Sequence, residues 1–188
     1  LKLLIEPSQD TGLLVAVGDE LGRLLWVEGD ASARRNGEAI NFARGADWSE
    51  MTAGTSAPGT ALVLDRGVQI VREEHFNPAV HSWSCTAVPV HDPDTGGILG
   101  IVDITGGADA VGTNTLSLVH ATVAAAEAQL RIQRLVQLAA SSRGHKRQAA
   151  SPRAASRSPL YRDSLQILGR ESGLLHVGGT ALEPSERH

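Results

Sequence analysis

Five short apolar runs occupy residues 13–105, and one long helical pattern follows them. Residues 13–17 and 23–28 flank Gly18-Asp-Glu-Leu-Gly22, a spacing that predicts a hairpin. Residues 68–72 predict a further strand, and residues 84–90 and 98–105 predict a second hairpin across His91-Asp-Pro-Asp-Thr-Gly-Gly97, a run dense in turn formers. Between the hairpins two helices are expected. Residues 31–43 have Asp30 or Ser32 available as N-cap and Gly37 counting against them. The next helix takes Ser56 as its cap, tolerates Pro58 in its first turn, where the missing N–H costs nothing, and finds a stop at Gly67. The fold class is therefore α+β, an antiparallel sheet backed by helices.

From Thr113 the period changes from two to helical. Leu116, Val119, Val123, Ala126 and Leu130 recur at alternating spacings of three and four, giving one apolar seam on an alanine-rich helix expected to end near Ala140. The seam has two uses. It can cover the sheet, or it can pair with its copy in a homodimer through Leu116, Val119, Val123 and Leu130 until Ile132, Leu135 and Leu138 shift the phase.

Several short motifs occur in a fixed order. They run from Trp48-Ser-Glu-Met-Thr-Ala-Gly-Thr-Ser-Ala-Pro-Gly-Thr-Ala-Leu through Glu74-His-Phe and Trp83-Ser-Cys-Thr-Ala-Val-Pro-Val to Gly97-Ile-Leu-Gly-Ile-Val-Asp-Ile-Thr-Gly. This series resembles the GAF sensor domain of bacterial, especially actinobacterial, transcription regulators of the acetoin-catabolism-activator type, over roughly residues 10–135. The resemblance implies a small-molecule sensor that relays its state to a DNA-binding module, with the ligand held between the sheet and the segments running from Trp48 to Ser84. On that basis Trp48, Thr55, Ser56, Phe76, Trp83, Cys85 and Asp103 are the expected ligand-binding residues. Trp and Phe offer broad apolar contact at small entropic cost, and hydroxyls fix orientation; core packing accounts for such residues equally well. The family usually carries Asn where Ser56 stands, which removes an amide from that position.

No catalytic constellation emerges. Gly54-Thr-Ser-Ala-Pro-Gly59 has the outline of a phosphate loop, but Thr60-Ala61 follows where a Walker loop needs Lys and then Ser or Thr. His75, His81, Cys85 and His91 match no common zinc spacing, so no metal or cofactor is expected, and His91 reads as a solvated turn residue. Cys85, the single cysteine, reads as a small buried residue; with no resolving thiol, redox sensing through it stands as an alternative beside a small enzyme on the same fold and a purely structural dimerisation module. Asp103 lacks a second carboxylate placed with it and reads as a pocket-orienting group rather than a catalyst.

Charge divides the chain. Residues 1–128 hold 7 Lys/Arg against 17 Asp/Glu, whereas residues 129–170 hold 9 Lys/Arg against Asp163 alone. An acidic sensor, residues 1–140, is thus expected to lead into a basic linker, residues 141–160, rich in Ser, Ala, Pro and Gly. Arg143, Lys146 and Arg147 are candidate phosphate contacts there. Residues 161–188 resemble the opening sheet of a winged-helix output module of the OmpR class, truncated before any recognition helix, so the full-length regulator would bind DNA specifically and this chain at most non-specifically. No apolar run approaches a membrane span and no leader pattern opens the chain, which places it in the cytoplasm.

Overall fold

The computed structural model describes residues 11–145, with side chains described as far as residue 141. Five strands form one antiparallel sheet: β1 (Leu14–Asp19), β2 (Leu24–Gly29), β3 (Val68–Val71), β4 (Ser84–His91) and β5 (Ile98–Gly106), in the spatial order β2-β1-β5-β4-β3. Both expected hairpins are present. In β1–β2 Asp19 closes the turn by accepting from the backbone N–H groups of Leu21 and Arg23. The 92–97 turn of β4–β5 is closed by Asp92, which accepts from the N–H groups of Asp94 and Thr95.

Helix α1 (Ala31–Ala39) starts at Asp30, whose carboxylate accepts from the N–H groups of Ser32 and Ala33. Gly37 does not break it. The glycine is buried, and a Cβ there would stand 3.0 Å from Leu14 Cδ1, so the helix uses its missing side chain to lie close on β1. The helix ends at Ile40, short of residue 43, because Asn41 turns to φ 59°. A four-residue helix, α2 (Glu50–Ala53), lies where no helix was expected; it is too short to show a hydrophobic period.

Helix α3 (Ala57–Leu64) begins after Ser56, but the Ser56 hydroxyl does not cap it and instead donates to the Trp48 carbonyl at 3.4 Å. The helix stops at Asp65 in the left-handed conformation, two residues before Gly67. Gly67 has another task, since a Cβ there would meet the His120 ring at 2.5 Å. The apolar run from Thr115 forms α4 (Thr115–His145), five residues beyond the expected end at Ala140. The proposed linker beyond His145 and the winged-helix-like tail, with Lys146 and Arg147, lie outside the described residues, as does the side chain of Arg143.

Strand alternation sends side chains to two faces. On one face Val15, Val88, Val90, Val102 and Ile104 pack against Val119 and Val123 of α4. On the other, Leu14, Ala16, Leu24, Cys85, Ala87 and Ile101 pack beneath α1, α3 and the segments joining them, with Phe42, Trp48, Ala57 and Ala61. The α4 seam is therefore spent inside the chain. Val119, Val123 and Leu130 are buried and Leu116 is partly buried against the sheet, so these residues do not offer a dimer surface.

Candidate functional site

The face beneath the joining segments carries most of the nominated residues, and the central one is Asp103. In the ladder it stands opposite Ala16 on β1 and Ala87 on β4, so two small side chains flank it. It is fully buried, and burial pushes its pKa up to about 7 against the opposing hydrogen bond from Thr105. One oxygen, Oδ2, is engaged by the Thr105 hydroxyl. The other, Oδ1, is buried with no hydrogen-bond partner among the described residues. Thr105 Oγ1 also lies 3.1 Å from Cys85 Sγ, which places carboxyl, hydroxyl and thiol in one chain across β5 and β4.

Cys85 is buried in that chain, and burial first, then the neighbouring Asp103, raises its thiol pKa well above the ordinary value. A thiol so protonated is a poor nucleophile, which counts against redox sensing at this residue. Trp48 is core. Its ring meets Phe42 edge-on at 5.0 Å between centroids, and its indole N–H donates to the Asn41 carbonyl at 2.9 Å. Its polar handle is thus used within the chain. Ser56, also buried, ties α3 to that same tryptophan segment, and Gly59 completes the approach: a Cβ on Gly59 would come within 2.5 Å of the Glu50 backbone nitrogen. Gly59 of the 54–59 motif therefore serves close backbone contact rather than phosphate.

Phe76 sits elsewhere. It is 74 % exposed, with its ring laid on Gly54, whose φ of 68° and missing side chain make the notch it covers. Thr55, half-buried, accepts from the Phe76 backbone N–H. Expecting an aromatic residue inside the pocket misplaced Phe76, because sequence alone does not distinguish a ring that caps a glycine from one that lines a core.

Trp83 is half-buried and lines an open cleft of about 450 Å³ between α1, the 3-10 turn Pro78–Val80 and the ends of β1 and β5. The residue joins the Leu14, Phe42 and Trp48 cluster from its edge. Asn36, Ile40, Ala79 and Ser82 share the cleft wall. Sequence reasoning missed Asn36 and Ser82; both are surface polar residues with no motif around them.

The histidines are structural. His75 is buried, with Nδ1 2.8 Å from the Arg72 carbonyl, and His81 Nε2 lies 2.9 Å from the His75 carbonyl, which fastens the crossing from β3 to β4. His91 is not a solvated turn residue. It ends β4, its Nε2 is 2.7 Å from Asp65 Oδ1 at the end of α3, and its Nδ1 is 3.3 Å from Glu127 Oε1 on α4. Burial works against its charge, but the two carboxylates prevail and hold its pKa above the ordinary value. Nearby, Arg134 of α4 donates to both carboxylate oxygens of buried Asp92, at 2.7 and 2.6 Å, and to Asp94 at 2.8 Å. This guanidinium holds Asp92 far below the usual carboxylate range. The described residues contain no cluster of His, Cys, Asp or Glu able to hold a metal ion and no helix long and apolar enough to cross a membrane.

Comparison with known proteins places this geometry. The family model described as "MimR, N-terminal domain" matches residues 4–130. The chain is 60 % identical over 134 residues to an uncharacterized 47.3 kDa protein in the thcA 5' region of Rhodococcus erythropolis, covering 71 % of this chain and 31 % of that protein. It is 34 % identical over 130 residues to the acetoin dehydrogenase operon transcriptional activator AcoR of Bacillus subtilis, covering 69 % and 21 %. Against the propane 2-monooxygenase operon transcriptional activator MimR of Mycolicibacterium smegmatis it is 31 % identical, covering 56 % and 18 %. The chain thus spans about a third or less of the length of these relatives. Among solved structures, a chain of the E. coli DhaR(N)–DhaL complex superposes with a TM-score of 0.65 at 22 % identity, covering 72 % of this chain and 46 % of that one, a likeness of fold.

Proposed function

The chain belongs to the MimR N-terminal domain family, a GAF-like regulatory sensor domain of transcriptional activators, and from that premise we propose that it binds a small molecule on the face beneath α1 and α3 and relays the binding through α4 to a DNA-binding module. The observation that carries this reading is Asp103. A fully buried carboxyl with an oxygen lacking any partner among the described residues costs stability, and a structural domain would gain by replacing it. Framed by Ala16 and Ala87, with Cys85 and Thr105 beside it, Asp103 is the polar anchor of the ligand in this reading. Trp48 and Ser56 pack behind that face, Thr55 and Phe76 meet on its outer side, and Trp83 lines the separate cleft beside α1. A reaction is not part of the proposal, because burial and the neighbouring Asp103 keep the Cys85 thiol protonated, and no cofactor is invoked.

The relay runs around the sheet edge. His91 touches the end of α3 through Asp65 and the middle of α4 through Glu127, and Arg134 locks the next turns of α4 to the β4–β5 turn. A ligand that favours one position of α3 would shift the balance of α4 positions through these contacts. Dimerisation belongs to the same proposal on a different seam. Leu118, Ala121, Ala125, Ala128, Ile132 and Leu135 recur at spacings of three and four, all exposed, on the side of α4 that faces away from the sheet. Beyond α4, Arg143, Lys146 and Arg147 would add phosphate contacts, and residues 161–188 would open the output domain, in a protein working in the bacterial cytoplasm.

Native mass spectrometry of the purified chain, parent beside Asp103→Asn, tests the sensory claim. The parent retains a small-molecule mass adduct after transfer from cell extract, and the variant loses it while keeping its native charge-state distribution. A parent whose mass equals its sequence mass after exposure to extract, or an adduct kept equally by both chains, contradicts the proposal.

A further inference from the structure

The cleft at the ends of β1 and β5 carries chemistry that the Asp103 site does not use. It lies between α1 and the Pro78–Val80 turn, holds about 450 Å³, and is open to solvent. That volume falls in the range of small-molecule sites rather than of single waters. Its apolar part comes from Ile40, Ala79 and the ring of Trp83, which is packed from behind by the Leu14–Phe42–Trp48 cluster and so held in place. Its polar part comes from Asn36, Ser82 and Trp83. No hydrogen bond joins the Asn36 amide, the Ser82 hydroxyl or the Trp83 indole N–H to another described residue, whereas the Trp48 indole N–H is committed to Asn41. Three unengaged donor groups beside an immobilised aromatic plane form the pattern of a ligand site: apolar walls with a few polar groups that fix orientation.

The wall also states what the ligand is not. None of the described lining residues is ionisable, in a domain whose surface is otherwise strongly acidic. Among the described residues a cation would find no carboxylate to pair with in the cleft, and an anion would find no guanidinium or ammonium and would face the negative field of the domain. From this we infer that the cleft is a second binding site, for a neutral molecule with a flat apolar body and a carbonyl or hydroxyl oxygen that accepts from Trp83 and Asn36. The inference goes beyond the sensory reading and does not pass through Asp103, which the described cleft wall does not include.

Trp26, Trp48 and Trp83 are the three tryptophans of the chain, so its indole N–H groups give three resolvable signals in a 15N-labelled sample. The probes are benzamide and benzyl alcohol as neutral ligands, with benzoate and benzylammonium as charged counterparts, titrated at roughly millimolar concentration, the affinity range of fragments this small. The neutral probes move the Trp83 signal saturably and leave Trp48 in place; the charged probes do not. Asn36→Leu with Ser82→Leu, both on the surface, weakens the neutral probes about tenfold, the worth of one or two hydrogen bonds. Asp103→Asn leaves the Trp83 titration unchanged, so failure of the anchor at Asp103 and failure of the cleft are separately visible. A Trp83 signal that does not saturate, responds equally to charged probes, or titrates identically in the double variant overturns the inference.

Discussion

The two faces of the sheet are built to different standards. On the α4 face the strands supply Val15, Val88, Val90, Val102 and Ile104, and the fully buried Thr86 there is satisfied twice: it donates to the Ala110 carbonyl at 2.6 Å and accepts from Gln69 at 2.9 Å. On the opposite face the same strands supply Cys85, Asp103 and Thr105, and one carboxylate oxygen is left over. Both faces are close-packed, so the difference is not one of burial. Within the strands it is one of polar satisfaction: Thr86 on the first face has both its partners, and Asp103 on the second retains an oxygen with none among the described residues, so that its replacement would favour the fold.

The largest effect expected from this contrast is on the satisfied face. Val123→Glu places a carboxylate against Val15, Val102 and Val119 with no partner provided, and it should cost on the order of 3–5 kcal/mol, measured as a loss of folded fraction in urea. Because that residue is internal, the variant unfolds rather than merely dissociating. Ile132→Glu, on the exposed seam, should leave the urea midpoint within error and convert a dimer to a monomer by light scattering. The reverse outcome would return the interface to the inner seam and break the comparison.

A smaller effect is expected where α4 meets the β4–β5 turn. Arg134→Ala removes three charge-assisted hydrogen bonds, two of them to a buried carboxylate, although Asp92 keeps its backbone partners Asp94 and Thr95. A loss of about 2 kcal/mol at neutral pH follows, since hydrogen bonds to charged groups exceed neutral ones. Asp92 has a depressed pKa, so its contribution is present above the ordinary carboxylate value near 4 and is lost as the pH falls below it. The gap between parent and variant should therefore close in acid. A gap independent of pH would show that Arg134 acts by packing alone.

Much of the architecture was legible in residue order because each strand and the long helix carry a period. The apolar runs of residues 13–17 and 98–105 marked two strands, and the seam from Leu116 to Leu130 found its sheet. Asp103 was legible for a related reason: it is the one charged residue inside an otherwise apolar strand. What escaped were contacts made across the chain. Phe76 on Gly54, His91 between Asp65 and Glu127, and the Asn36–Ser82–Trp83 cleft join residues 22 to 47 positions apart, and no local pattern announces such pairs. The end of α3 was misjudged because Asp65 took the left-handed position that Gly67 was expected to fill.

Asp103 is held at a cost to the fold, and stability against pH measures that cost directly. A folded-state pKa raised to about 7, against an unfolded value near 4, means that the native chain binds the extra proton between those limits. Stability contributed by the neutral carboxyl is present below about pH 4 and falls as the pH rises through 7. His91, whose folded pKa is also raised, adds its own fall above about pH 6.5, but it does so equally in parent and Asp103→Asn and cancels in their difference. Urea unfolding of both chains from pH 4 to pH 8 should give curves that meet near pH 4, diverge as the pH rises to about 7 and run parallel above it, with the Asn variant then the more stable by on the order of 2–4 kcal/mol. Parallel curves across that range would mean that the Asp103 carboxyl is satisfied in the folded chain, and the distinction between the two faces would fall.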